Sequence, residues 1–180
     1  MKPGPVSEQD HVAGPPDAPL TLIEYGDFEC PFCVKAFPVI ESVRRIFGDD
    51  LRFVYRHVPK SGAQSFVKQA AEASEFAASE GRFWAMYAEL FSHPDRHDLE
   101  HLVDAAKTVG LDPEACRKAL AERTFAERVR ELSVESLKAG IVGTPTLFIN
   151  AVRYENRIEE DPLRTALESA QREIELALSR

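Results

Sequence analysis

The sequence predicts an α/β domain in which a βαβ unit and a ββα unit are separated by an all-helical insertion. Three observations carry this. An apolar, β-prone run at residues 20–25 leads into Cys30-Pro31-Phe32-Cys33 and then a helical pattern. From about residue 64 to 139 only helical periods occur. Strand-like runs return at 146–149 and 152–154, ahead of a last helical pattern.

Residues 1–19 hold five of the twelve prolines and no period, so they read as a lead-in with a short edge strand near His11-Val12. The helix after Cys30 carries Phe37, Ile40, Val43 and Phe47 at spacings of three and four, which buries one face. Pro38 should kink it, and Gly48 closes it. Residues 51–58 form the second strand, ended by Pro59. Strand, helix and strand in that order imply a parallel pair with a right-handed crossover.

The insertion reads as five helices. Phe66, Ala70, Ala73 and Ala77 share a face that stops at Gly81. Phe83, Trp84, Tyr87, Leu90 and Phe91 mark an apolar helix, most simply the core of the insertion. The third lies between an Asp98 cap and Gly110. The fourth opens with Asp112 as N-cap and Pro113 at N1. Thr124-x-x-Glu127 reads as a capping box opening the fifth, which ends at Gly140. After the two strands, Asp161-Pro162 starts the final helix. The expected units are a lead-in at 1–19, an α/β domain at 20–62 and 141–180, and an insertion at 63–140.

One chain of 180 residues can bury a single sizeable core. Its net charge of −8 argues against nucleic acid, which wants a basic face. No apolar run approaches the roughly 20 residues of a membrane span. Residues 1–10 lack the apolar stretch of a secretory signal, so the expected compartment is the cytoplasm, or an extracytoplasmic one if a signal was trimmed. Three cysteines are too few for a disulfide scaffold or a four-ligand zinc site. His93, His97 and His101 recur every four residues, but Pro94 interrupts that helix, and they read as a solvated junction rather than ligands. Cys116 falls at N4 of its helix and reads as a small buried apolar residue.

The chemistry sits in Cys30-Pro31-Phe32-Cys33. With Cys30 at the N-cap, Pro31 takes N1, where a missing N–H costs nothing. The N–H groups of Phe32 and Cys33 then point at the Cys30 sulfur, and the helix dipole favours its thiolate. Cys33, one turn on, can attack a mixed disulfide and release the product.

On these residues the chain resembles the DsbA family of thiol–disulfide oxidoreductases, in the thioredoxin superfamily. The likeness covers nearly everything after residue 11. It rests on residues 24–33, Glu-Tyr-Gly-Asp-Phe-Glu-Cys-Pro-Phe-Cys, on the long helical insertion, and on residues 143–150, Gly-Thr-Pro-Thr-Leu-Phe-Ile-Asn. The resemblance implies a thioredoxin fold with an inserted helical domain. It implies Cys30 as nucleophile and Cys33 as resolving thiol. Thr144-Pro145 becomes a cis bond opposite them, leaving Thr144 backbone groups for an extended substrate. Glu24 becomes a buried acid that takes the Cys33 proton. Pro31 and Phe32 complete the motif. Phe32 offers no charge where strongly oxidising members often carry His, and Asp27 and Glu29 oppose a thiolate. A modestly stabilised thiolate and a reducing to intermediate couple are therefore expected.

The expected activity is disulfide exchange with protein or small thiol substrates and a redox partner. It needs no bound cofactor and no metal, because the Cys30–Cys33 pair holds the electrons. A monomer without membrane attachment is expected. The alternative is a redox-sensing or interaction module with little turnover.

Overall fold

The computed structural model describes residues 2–59 and 67–179. Phe66 and the expected boundary at 62–63 lie outside the described residues. The strands are β1 (His11–Ala13), β2 (Leu20–Gly26), β3 (Leu51–His57), β4 (Thr146–Ile149) and β5 (Val152–Tyr154). They form one mixed sheet in the order β1-β3-β2-β4-β5. β2 and β3 are parallel, Leu20 opposite Leu51 through Gly26 opposite His57. The other pairs, β1–β3, β2–β4 and β4–β5, are antiparallel.

Helix α1 (Pro31–Phe47) connects β2 to β3 and runs through Pro38 as one helix. Between β3 and β4 come α2 (Val67–Ser79), α3 (Phe83–Ser92), α4 (Leu99–Thr108), α5 (Pro113–Ala121) and α6 (Ala126–Lys138). Helix α7 (Glu160–Leu178) follows β5 and starts one residue before Asp161-Pro162. The architecture is the thioredoxin fold with a helical insertion.

The alternation along β2 divides the interior in two. Leu20 and Leu22 point into the main core with Cys33, Ala36, Ile40 and Val43 of α1. Ile23 and Tyr25 point to the opposite face and a smaller cluster with Val54, Ile141 and Phe148. Glu24 shares the register of Leu20 and Leu22, so it is buried beneath α1. Full burial of side chains such as Ile40 is worth roughly 1.5–3 kcal/mol each. That packing holds an otherwise costly polar group inside.

The aromatics of α3 join the insertion to the sheet as much as they fill it. Trp84 packs on Phe53 at 5.4 Å between ring centroids, Tyr87 on Tyr55 at 5.0 Å, and Phe91 on Phe28 at 4.9 Å. The Trp84 indole also donates to the Val12 carbonyl, tying the insertion to edge strand β1.

Asp98 and Asp112 cap their helices as their positions imply, accepting from His101 N and from Glu114 N and Ala115 N. The Thr124–Glu127 box does not form. Helix α6 starts after Phe125 with no side-chain cap, Arg123 adopts a positive φ of 56°, and Thr124 N donates to Ala119 O. Thr124 is thus part of the turn that closes α5, and Glu127 pairs with Arg130 instead.

Candidate active site

Asp27 to Cys30 form a turn at the end of β2, closed by Cys30 N donating to Asp27 O at 3.1 Å. Gly26 is required there. A Cβ at that position would lie 2.5 Å from the Tyr55 ring, whose passage over the strand end leaves no room for one. The turn delivers Cys30 to the N-cap of α1, with extended backbone (φ −72°, ψ 117°) and Pro31 just inside the helix. Cys33, one turn on, faces the core. Cys30 is 7% exposed, against 0% for Cys33 and Cys116. Phe32 points outward and is exposed.

Thr144 and Pro145 lie opposite, just before β4, and the bond between them is cis. The Cys30 thiol donates to the Thr144 carbonyl at 3.3 Å. The Thr144 hydroxyl is buried without a hydrogen-bond partner.

Cys30 is held at about 5, far below an ordinary thiol. The first cause is a hydrogen bond from the Cys33 thiol. Burial opposes it, while the N–H groups of Cys33 and Phe32 reinforce it. This departs from the modest stabilisation expected of a Phe at position 32. The donors come from the partner cysteine and the N–H groups of the helix start, and need no charge on residue 32. Cys33 moves the opposite way, far above the thiol range, because it shares its proton with Cys30, is buried, and faces the Glu24 and Cys30 charges.

Glu24 is fully buried. Burial pushes its carboxyl up to about 8, with a hydrogen bond from Tyr87 pulling the other way. Tyr87 of α3 donates to Glu24 Oε2 at 3.2 Å, and Oε1 has no hydrogen-bond partner. The carboxyl adds to the charges that raise Cys33.

The structure therefore brings Glu24, Cys30, Cys33, Thr144 and Pro145 together, with Phe32 on the rim. The sequence marks Tyr87 only as core. A tyrosine in an apolar helical stripe carries no local sign of a polar partner 63 residues away. His97 reads from sequence as solvated, but it is buried. Its Nε2 contacts Leu90 O at 3.2 Å, and its Nδ1 lies 3.7 Å from the Glu29 carboxylate beside Cys30. His93 and His101 pair instead with Glu89 and Asp98, so the three histidines do not converge.

The low Cys30 value gives a direct expectation. Alkylation of the reduced protein by limiting iodoacetamide should occur at Cys30, with a rate rising through a midpoint near pH 5. Cys116, buried and pushed up to about 11, should stay unlabelled across that range. Peptide mapping of the adduct at each pH checks both points.

A family model described as Thioredoxin matches residues 6–169. Among solved structures, BdbD from Bacillus subtilis superposes with a TM-score of 0.83 at 28% identity, covering 94% of this chain and 97% of that one. The alpha-DsbA1 of Wolbachia pipientis shares the fold at a TM-score of 0.82 and 20% identity, covering 97% and 96% of the two chains. Among curated proteins, this chain is 42% identical over 164 residues to the Na(+)/H(+) antiporter NhaA 1 of Mycolicibacterium gilvum, covering 90% of this chain and 27% of the relative. It is 36% identical over 163 residues to that of Salinispora arenicola, covering 91% and 25%. The chain spans about a quarter of the length of these curated relatives. With a dithiol at a helix N-terminus, a prolyl bond facing it and a helical insertion between the halves of the sheet, the chain belongs to the thioredoxin superfamily.

Proposed function

We propose that this domain catalyses thiol–disulfide exchange on protein or small thiol substrates through Cys30 and Cys33. The observation that carries the reading is the opposed pair of thiols: Cys30 lowered to about 5 at the site rim and Cys33 raised and enclosed behind it.

The Cys30 thiolate attacks one sulfur of a substrate disulfide, forming a mixed disulfide and releasing the other sulfur as a thiolate. This removes the negative charge on Cys30 and the hydrogen bond from Cys33, two of the causes that raise Cys33. The Cys33 proton becomes easier to lose at the moment it must leave. Loss of the Cys30 charge also removes one of the influences raising Glu24, so the acid ionises more readily and is a more available base. Glu24 takes the proton, the Cys33 thiolate attacks Cys30 Sγ, and the second substrate thiolate departs. Two electrons have moved to the substrate, and the Cys30–Cys33 disulfide remains. Reversal of the same steps oxidises a dithiol substrate.

An extended substrate segment would lie along Thr144, pairing with its backbone, with exposed Phe32 and Val142 as apolar contacts. The sequence-based expectation places this work in the cytoplasm. A stabilised Cys30 thiolate favours the dithiol form, which makes the disulfide a better oxidant and counts against a purely reducing role.

The kinship with sodium/proton antiporters of greater length supports a second reading, a redox-sensing module of a larger protein with little turnover. Insulin reduction with dithiothreitol as electron source separates the two. Turnover abolished by Cys30→Ser supports exchange. A folded wild type that gives no turnover and is oxidised and reduced only once supports the sensor.

A further inference from the structure

Three side chains outside the dithiol site converge where the lead-in, the sheet and the insertion meet. His11 comes from edge strand β1, His57 from the last position of β3, and Glu75 from α2. His11 Nε2 lies 2.7 Å from Glu75 Oε1, and His57 Nε2 lies 3.1 Å from the same oxygen. All three potential ligand atoms fall within 4.8 Å of one another. His57 and Glu75 are buried, while His11 keeps partial access to solvent.

We propose that His11, His57 and Glu75 bind a divalent transition-metal ion of the zinc class, which clips the edge strand to the sheet and the insertion. Two imidazoles and one carboxylate are a donor set that suits such an ion. Zinc bonds of about 2.0–2.1 Å in a tetrahedral arrangement call for ligand atoms roughly 3.3 Å apart. The two contacts to Glu75 need to open by only about half an ångström to reach that spacing. Water supplies the fourth ligand, entering on the His11 side.

The surroundings hold the ligands in place. The His11 ring stacks on Phe83 with centroids 3.5 Å apart and planes 7° apart. His57 sits among Phe28, Tyr55 and Phe83, with Ser74 Oγ 3.2 Å from its Nε2. Arg128 Nε lies 3.9 Å from Glu75 Oε2, the carboxylate oxygen that the histidines leave free.

The expectation that the chain needs no metal for its redox chemistry is untouched, since this site uses neither cysteine of the dithiol. The test uses the full chain in its disulfide form, in which Cys30 and Cys33 cannot act as ligands. Titration with Zn2+ or Co2+ should show one equivalent bound, with a rise in melting temperature. Co2+ should give a tetrahedral visible spectrum without thiolate charge-transfer bands. His11→Ala removes a ligand from the edge strand while keeping the His57–Glu75 pair, and should weaken binding at least tenfold. Glu75→Gln should do the same. Absence of stoichiometric binding, undiminished binding by both variants, or a preference for Ca2+ over Zn2+ would overturn the proposal.

Discussion

Cys33→Ser should accumulate protein adducts through Cys30, and Cys30→Ser should accumulate none. The serine hydroxyl cannot attack a disulfide at neutral pH, so the covalent intermediate in Cys33→Ser waits for an external thiol. Cys30→Ser removes the accessible thiol and leaves Cys33, enclosed and with no N-cap position to lower its pKa. Non-reducing gels after incubation with a disulfide-bonded substrate should show a high-mass band for the first variant only, lost on adding dithiothreitol. Cys33→Ala, which unlike serine leaves no donor in the thiol's place, removes the leading cause of the low Cys30 value, the hydrogen bond from the Cys33 thiol. Its alkylation midpoint should therefore rise above the wild-type midpoint near pH 5, without returning to that of an ordinary thiol, because the helix N–H groups remain. Equal adducts in both variants would reverse the order of attack assigned here.

The second large effect is on stability. In Glu24→Gln, resolution of mixed disulfides should slow while the folded state becomes more stable at neutral pH. Burial raises the folded carboxyl to about 8, against an ordinary value of 4.5. Between these pH values the native protein binds a proton that the unfolded chain has released. Stability therefore falls as pH climbs through that window. At about 1.4 kcal/mol per pKa unit, the loss is on the order of 3–5 kcal/mol when the window has been crossed. A glutamine at this position has no proton to lose, so the variant should lack this decline. The comparison belongs in the disulfide form, where loss of the Cys30 charge narrows the window but burial, the leading cause, remains. In the reduced form Cys30, with a lowered pKa, contributes in the opposite direction: its stabilisation is complete above the unfolded thiol value and fades as pH falls through about 5. Urea melts of wild type and Glu24→Gln at pH 5 and pH 8 give the measurement. A gap between the two proteins that stays constant with pH would contradict a buried, titrating Glu24.

Much of this is legible locally. The two-residue alternation in β2 already places Glu24 on the face of Leu20 and Leu22, and Cys-Pro-x-Cys after a strand marks the helix start. The capping residues Asp98 and Asp112 are recognisable because their partners lie within three residues. What has no local mark depends on distant chain. The Cys30 bond to the Thr144 carbonyl, the Tyr87 bond to Glu24 and the His11–Glu75 contact each join residues more than 60 positions apart. The Thr124 box fails for a different reason. A turn closing α5 claims that residue, and an i,i+3 pairing between Glu127 and Arg130 takes the acid the box needed.

The Tyr87–Glu24 bond bears on how this protein can be taken apart. The insertion looks like an accessory that could be exchanged for another helical cap to change what docks on the molecule. Its second helix, α3, nevertheless supplies the phenol that reaches the acid under the dithiol. A graft that kept every residue of the sheet and of α1 but replaced α3 would strip that acid of its donor. Such a chimera would inherit the cysteines of one parent and the proton affinity of neither.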